Sequence, residues 1–194
     1  RQAPPPLHHL LWDGVLSDIL QKNAAGEYGG SAYALTLANN GLVMDFADSL
    51  DGEAVAAAEE AAAAIAAGDI DVMAVFNGEE MAAADDEAMM EYPEIDPVRV
   101  ALVMPSTTAD LAWSQSMYDS LVILQDHYGE ENFEIVYSEN MFNVTDAAAA
   151  IRDYAADGYN IIIAHGAQYG SSLFEIAPDF PETSFAWGTS TNVG

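Results

Sequence analysis

From Pro97 onward, apolar runs too short to be helices alternate with segments of helical period, and this alternation restricts the fold more than any other feature. Repeated strand and helix units of this kind close as a parallel sheet with helices on its faces. The spacing predicts strands near residues 99–104, 133–137, 160–164 and 184–187, and helices over 110–128, 145–156 and 171–176. In the first of these helices Leu111, Met117, Tyr118, Leu121 and Leu124 are expected to face inward. Gly129 should end that helix, Asn143 or Thr145 should cap the next, and Gly158 should stop it.

The first half of the chain reads differently. After Pro4-Pro5-Pro6, the residues Leu7, Leu10, Leu11, Val15, Ile19 and Leu20 recur at three- and four-residue intervals, which predicts a helix over about 7–22. Residues 31–37 and 42–46 read as strands of a hairpin around Asn39-Asn40-Gly41, a strong tight-turn signal. Asp51 can cap an alanine-rich helix running to Ala67, with Gly68 as its left-handed stop, and 70–76 reads as a further strand. From Asn77 to Pro97 the chain turns acidic and methionine-rich without a clear period, as a linker would. Three segments are therefore expected: 1–76, a linker at 77–97, and 98–194.

A chain of 194 residues suffices for one well-buried domain or two small lobes. Only Arg1, Lys22, Arg99 and Arg152 are basic, against 32 Asp and Glu, for a formal net charge of -28. Such a surface repels phosphate backbones and anionic headgroups, which argues against nucleic acid as a partner and against an acidic substrate. The excess suits work in high salt, where self-repulsion is screened over ~3 Å at molar ionic strength. The absence of cysteine excludes disulfides, thiolate metal sites and cysteine nucleophiles. No run approaches the ~18 consecutive apolar residues of a membrane span. Because the chain opens at Arg1, upstream processing that removed a signal peptide or lipid anchor is expected.

In open parallel sheets, ligands sit outside the carboxyl ends of the strands, where loops converge and helix N-termini point their N–H groups inward. Three loops qualify, following the first, third and fourth strands of the second half. They carry Ser106, Thr107, Thr108, Asp110, Ser114, Gln115, His165, Gln168, Tyr169, Thr189, Ser190 and Asn192, with Trp113 among them. A flat ring among converging polar groups suits a planar heterocycle or a sugar-like ligand.

The runs VALVMPSTTADLAWSQSMYDSL, AAAAIRDYAADGYNIIIAHGAQYG and APDFPETSFAW resemble the basic membrane protein (BMP) family of solute-binding proteins that feed ABC importers. The resemblance covers about residues 98–187. It implies an α/β lobe of the three-layer, type I periplasmic-binding-protein kind, capture of a ligand by hinge closure, and delivery to a permease driven by an ATPase. It also implies an extracytoplasmic location, with a lipid anchor on the full-length form. Relatives that bind purine nucleosides stack an aromatic on the base at the position matching Trp113, with an acid matching Asp110 nearby. Ser114 stands where they carry an asparagine, and tryptophan replaces their usual phenylalanine. Implied ligand-binding residues are thus Asp110, Trp113, Ser114, Gln115, His165, Gln168, Tyr169, Thr189 and Ser190.

The first seventy residues are similar to the same family's C-terminal end, through the helix carrying Trp12, the run AAGEYGGSAYALTLANNGLVMDFA and the closing AAGDIDV. The family order is inverted, as in a circular permutation, a piece spanning two adjoining copies, or an artificial joining of segments. Most of the second lobe has no counterpart, so the cleft's opposite wall would come from a missing lobe or a partner chain. Other readings compete with ligand capture. Asp110 is explained by helix capping alone, and Trp113 by packing beneath a loop. The same fold detached from transport would be a sensor. A small α/β enzyme would use His165 as base on a nucleoside-like substrate, yet nothing nominates a nucleophile or second acid beside it. An assembly role would use an unpaired sheet edge. No cofactor or metal is nominated: His8 and His9 are neighbours that face different ways on a helix, and Asp85-Asp86-Glu87 lacks the alternating oxygens and central glycine of a calcium loop.

Overall fold

A computed structural model describes residues 7–46, 50–70 and 92–188. They belong to two compact units, Arg1–Leu11 with Tyr33–Met89, and Trp12–Ala32 with Met90–Gly194.

In the first unit, strand β1 (Leu7–Leu10) pairs antiparallel with β2 (Leu42–Asp45), Leu10 opposite Leu42. The expected helix over 7–22 therefore starts late, because its first four residues extend to pair with β2. Residues 31–37 likewise form no strand. There Asn39 organises the turn: its Oδ1 accepts from the Thr36 and Gly41 backbone N–H groups at 2.9 and 3.0 Å, and its Nδ2 donates to the Ala34 carbonyl at 2.8 Å. The turn residues are as read, since Asn40 takes a φ of 54°, but β2's partner comes from the other side of the sequence. Helix α2 (Gly52–Ala66) begins at its expected cap, Asp51, which accepts from Glu53 N. It ends before Gly68, whose φ is 77°. None of its residues is buried. The expected strand at 70–76 and the linker up to residue 91 lie outside the described residues, apart from Ile70.

In the second unit, helix α1 (Asp13–Ala24) precedes β3 (Val98–Val103), α3 (Trp113–Tyr128), β4 (Phe133–Ser138), α4 (Val144–Ala156), β5 (Ile161–His165), α5 (Gly170–Ile176) and β6 (Ser184–Gly188). The strands run parallel in the order β4-β3-β5-β6. All four expected strands form, within a residue or so of their predicted limits. Alternation along β3 and β5 divides the core in two. Val98, Val100, Leu102, Ile161 and Ile163 pack with Leu16 and Leu20 of α1 and with Met117, Leu121 and Leu124 of α3. Ala101, Val103, Ile162 and Ala164 face Ala147 and Ile151 of α4 and Leu173 and Ile176 of α5. The result is a three-layer α/β/α lobe. Each large apolar side chain so buried contributes about 1.5–3 kcal/mol.

Helix α1 belongs to the second unit, where it buries Leu16 and Leu20 under the sheet. One expectation in this unit needs correction. Leu111 does not face inward, and it is 84% exposed. The helix begins at Trp113 instead of Asp110, since the Asp110 carboxylate accepts from the N–H groups of Ala112, Ser114 and Gln115 at 2.9, 3.2 and 3.1 Å. That wraps the chain around the side chain and leaves Leu111 left-handed, with φ 55°. Elsewhere the predicted caps hold: Asn143 accepts from Thr145 N at 3.0 Å, and α3 and α4 finish at Gly129 and just before Gly158, which have φ of 84° and 79°.

Candidate functional site

The chain goes from β3 to β4 on one side and then crosses to β5 on the other, so the sheet has its topological switch point between β3 and β5. In open parallel sheets this is the point, beyond the strands' carboxyl ends, where ligands bind. The β3 loop delivers Trp113 to this place and β5 ends on His165.

These two residues are tied together reciprocally. The Trp113 indole Nε1 donates to the His165 carbonyl at 3.2 Å, and His165 Nε2 lies 3.0 Å from the Trp113 carbonyl. A carbonyl only accepts, so Nε2 carries the proton and Nδ1 presents a lone pair. Their rings stack with centroids 4.1 Å apart and planes 2° from parallel. Trp12, at the start of α1, meets both rings edge-on, 5.5 Å from Trp113 and 5.3 Å from His165. It is fixed by two serines of α3: its backbone N–H donates to Ser120 Oγ at 3.1 Å and its Nε1 to Ser116 Oγ at 3.3 Å. His165 is wholly buried. Burial outweighs the hydrogen bond to Trp113 and the nearby Asp110 charge and brings its pKa down to about 4, so the ring is neutral at physiological pH.

Around this cluster the β3 loop is braced by its own side chains. Burial acts to raise the Asp110 pKa, but the N–H groups of Gln115, Ala112 and Ser114 prevail and hold it below the ordinary carboxylate value. Ser114 is buried and accepts from Ser106 N at 3.3 Å. Gln115 accepts from Leu111 N at 2.9 Å and donates to Asp119 at 3.2 Å. Thr108 donates through both its N–H and its hydroxyl to Glu139, at 2.6 and 2.7 Å.

The structure thus brings Asp110, Trp113, Ser114, Gln115 and His165 together and separates Tyr169 from them. Gln168 is partly buried on a short 3-10 turn, Ala167–Tyr169. Tyr169 turns into the core under α4 and α5, donates its hydroxyl to the Met141 carbonyl at 2.8 Å and has its pKa pushed up to about 12 by burial. The turn thus directs its ring into the core on the α4 and α5 side of the sheet. Thr189, Ser190 and Asn192 lie outside the described residues. Trp12 is the member that reading by loops missed: it lies a hundred residues from Trp113 in the chain, and only the similarity of its helix to a family segment pointed toward it. Among the described residues no group of three or more His, Cys, Asp or Glu is placed to hold a metal ion.

A parallel α/β lobe of this kind offers a ligand place at its switch point, beyond the strands' carboxyl ends. Residues 97–190 match the family model Bmp, described as ABC transporter substrate-binding protein PnrA-like. Among solved structures, the chain is similar to the ABC transporter system solute-binding protein from Conexibacter woesei DSM 14684, at 23% identity and a TM-score of 0.40. That alignment covers 45% of this chain and 28% of the solved one, so the chain spans well under a third of that protein's length. A comparison with curated proteins found no match.

Proposed function

We propose that the sheet unit is the ligand-binding wall of an extracytoplasmic solute-binding protein that serves an ABC importer and performs no chemistry on its cargo. The ligand is small, planar, polar and uncharged, of the purine-nucleoside kind. The observation that carries this reading is the reciprocal Trp113–His165 pair at the switch point of the sheet. It fixes a partly exposed indole in one orientation, as stacking on a flat ligand requires.

Charge supports a neutral ligand. Arg99 sits at the amino end of β3, Arg152 on α4 pairs with Asp179, and Lys22 on α1 pairs with Asp18, so the described cations are engaged away from the switch point. A base-catalysed reaction is disfavoured because burial brings the His165 pKa down to about 4, which makes its imidazole a weak base at neutral pH. Asp110, Ser114, Gln115 and Gln168 frame the ligand. The opposite wall comes from a second lobe, in the same protein or in a partner chain. Permease and ATPase subunits are the partners this role requires, and the acidic surface suits a saline surrounding. No helix among the described residues is long and apolar enough to cross a membrane.

Calorimetric titration of the chain with inosine, guanosine and adenosine, in dilute and in molar salt, tests the reading. Saturable binding that Trp113→Ala weakens about tenfold or more is expected, given ~1–3 kcal/mol for an aromatic stacked on a base. Binding that ignores Trp113→Ala would place the ligand elsewhere. Absence of binding in both salts, with the chain folded, would refute the nucleoside class.

A further inference from the structure

Among the described residues, two buried side-chain polar atoms have no hydrogen-bond partner, Ser17 Oγ and His165 Nδ1. The serine hydroxyl can rotate toward a neighbouring backbone carbonyl. The imidazole cannot, because its ring is stacked on Trp113, flanked by Trp12 and anchored through Nε2. The unmet atom is therefore a fixed lone pair, and burying an acceptor without a donor costs about 1–3 kcal/mol. It faces Gly188, the last residue of β6, where a Cβ would stand 2.6 Å from Nδ1 and 3.3 Å from the His165 Cα. Glycine at the strand's end thus keeps side-chain atoms off the lone pair.

We propose that His165 Nδ1 is the atom that reads the ligand, accepting an N–H or O–H from it at the carboxyl ends of β5 and β6. This rests on the nucleoside reading above and sharpens it to a ligand with a neutral donor. Two donors are available on a nucleoside, a ring N–H and a sugar hydroxyl. His165 already covers one face of Trp113, so a base on the other face is a full ring removed from the imidazole plane, where in-plane hydrogen bonding fails. The sugar, which projects out of the base plane, can span that step. The stack therefore favours the hydroxyl.

Nitrogen NMR of the isotope-labelled full chain at neutral pH tests this, with the His165 signals assigned by their loss in His165→Gln and binding followed by calorimetry on the same samples. In the free protein, Nδ1 should resonate as an unprotonated nitrogen without a hydrogen bond. Saturating inosine should move it upfield, and His165→Gln should weaken inosine roughly tenfold. Hypoxanthine keeps the ring N–H groups and lacks the sugar. A shift with inosine alone identifies the hydroxyl as donor, and a shift with both identifies the ring. A free-protein signal that is already hydrogen-bonded would mean the chain supplies its own donor and overturns the proposal. Inosine saturation that leaves Nδ1 unmoved also overturns it while nucleoside capture stands. Failure of both compounds to bind sinks the two readings together.

Discussion

The two ends of the four-stranded sheet contrast in a way that volume alone would misjudge. At the amino ends of the strands lies an open depression of about 220 Å³, lined by Asn23, Tyr28, Asp96, Asn160 and Glu182 among others. At the carboxyl ends the space between β3 and β5 is filled by Trp12, Trp113 and His165. Yet the hollow end holds mostly ties between elements. Asn160 Oδ1 accepts from Arg99 N at 2.9 Å, its carbonyl accepts from Ser184 N at 2.9 Å, and Asn23 donates to Ser184 Oγ at 2.8 Å. Crossover helices in parallel sheets direct their carbonyl ends and partial negative charge there, and the carboxylates of Asp96 and Glu182 add to it. The filled end receives helix N-termini, a fixed indole and an unmet acceptor. On the proposed reading, strand polarity, not cavity size, marks where a ligand is recognised.

Variants can break or sharpen that contrast, and the largest effect should come from His165. The unfolded chain protonates this residue near pH 6.5 and the folded chain only near pH 4, so between those values the unfolded state binds more protons. Folded stability should therefore drop as the pH is lowered across that window, by about 3 kcal/mol at its acid limit. Neutralisation of the many carboxylates acts in parallel, so the measurement is the difference between the wild-type and His165→Gln denaturation midpoints as a function of pH; the variant should lack this component.

Packing gives the next effect. A Cβ at Gly170, which opens α5, would come within 2.3 Å of the Trp187 ring, so Gly170→Ala should cost ~1–3 kcal/mol by overpacking. At the amino end, a Cβ on Gly158 meets nothing within 4 Å, and Gly158→Ala should cost only the ~1 kcal/mol of its left-handed backbone. Paired thermal melts would check both. Asp110→Ala removes the acceptor of three backbone N–H groups and should cost ~1 kcal/mol. Because the folded pKa of Asp110 is depressed, that contribution is present above its unfolded pKa and is lost as pH falls through the folded value. The smallest effect should be Arg99→Ala at the amino end. Its guanidinium pairs with Glu134 at 3.1 Å and covers the Tyr159 ring at 4.0 Å, but both ions are exposed, which limits the loss to about 0–1 kcal/mol. A larger loss for Arg99→Ala than for Asp110→Ala would reverse the ranking of the two ends.

The sheet was legible because its strands are local apolar runs, and a run such as Ile161, Ile162 and Ile163 with both faces buried needs no partner to be recognised as a strand. The caps Asp51 and Asn143 and the stops Gly68, Gly129 and Gly158 were legible for the same reason: each acts on its own neighbours. Long-range pairing was not. Leu7 to Leu10 has helical spacing, but its backbone is claimed by residues 42–45, and Leu16 and Leu20 bury against strands eighty residues downstream. In the site, loop position singled out Trp113 and His165, but their mutual stacking depends on a carbonyl and a ring meeting across the sheet. The burial of Tyr169 among α4 and α5 was not legible, because a short 3-10 turn decides which side of the sheet its ring takes.

Hydrogen–deuterium exchange of the full chain, with and without saturating inosine, compares the two ends in a single measurement. Ligand-dependent protection should appear in residues 104–115 and 165–169, with none around 95–97, 129–132 and 157–160. Protection confined to the amino-end segments, with the loops carrying Trp113 and His165 unchanged, would contradict the account.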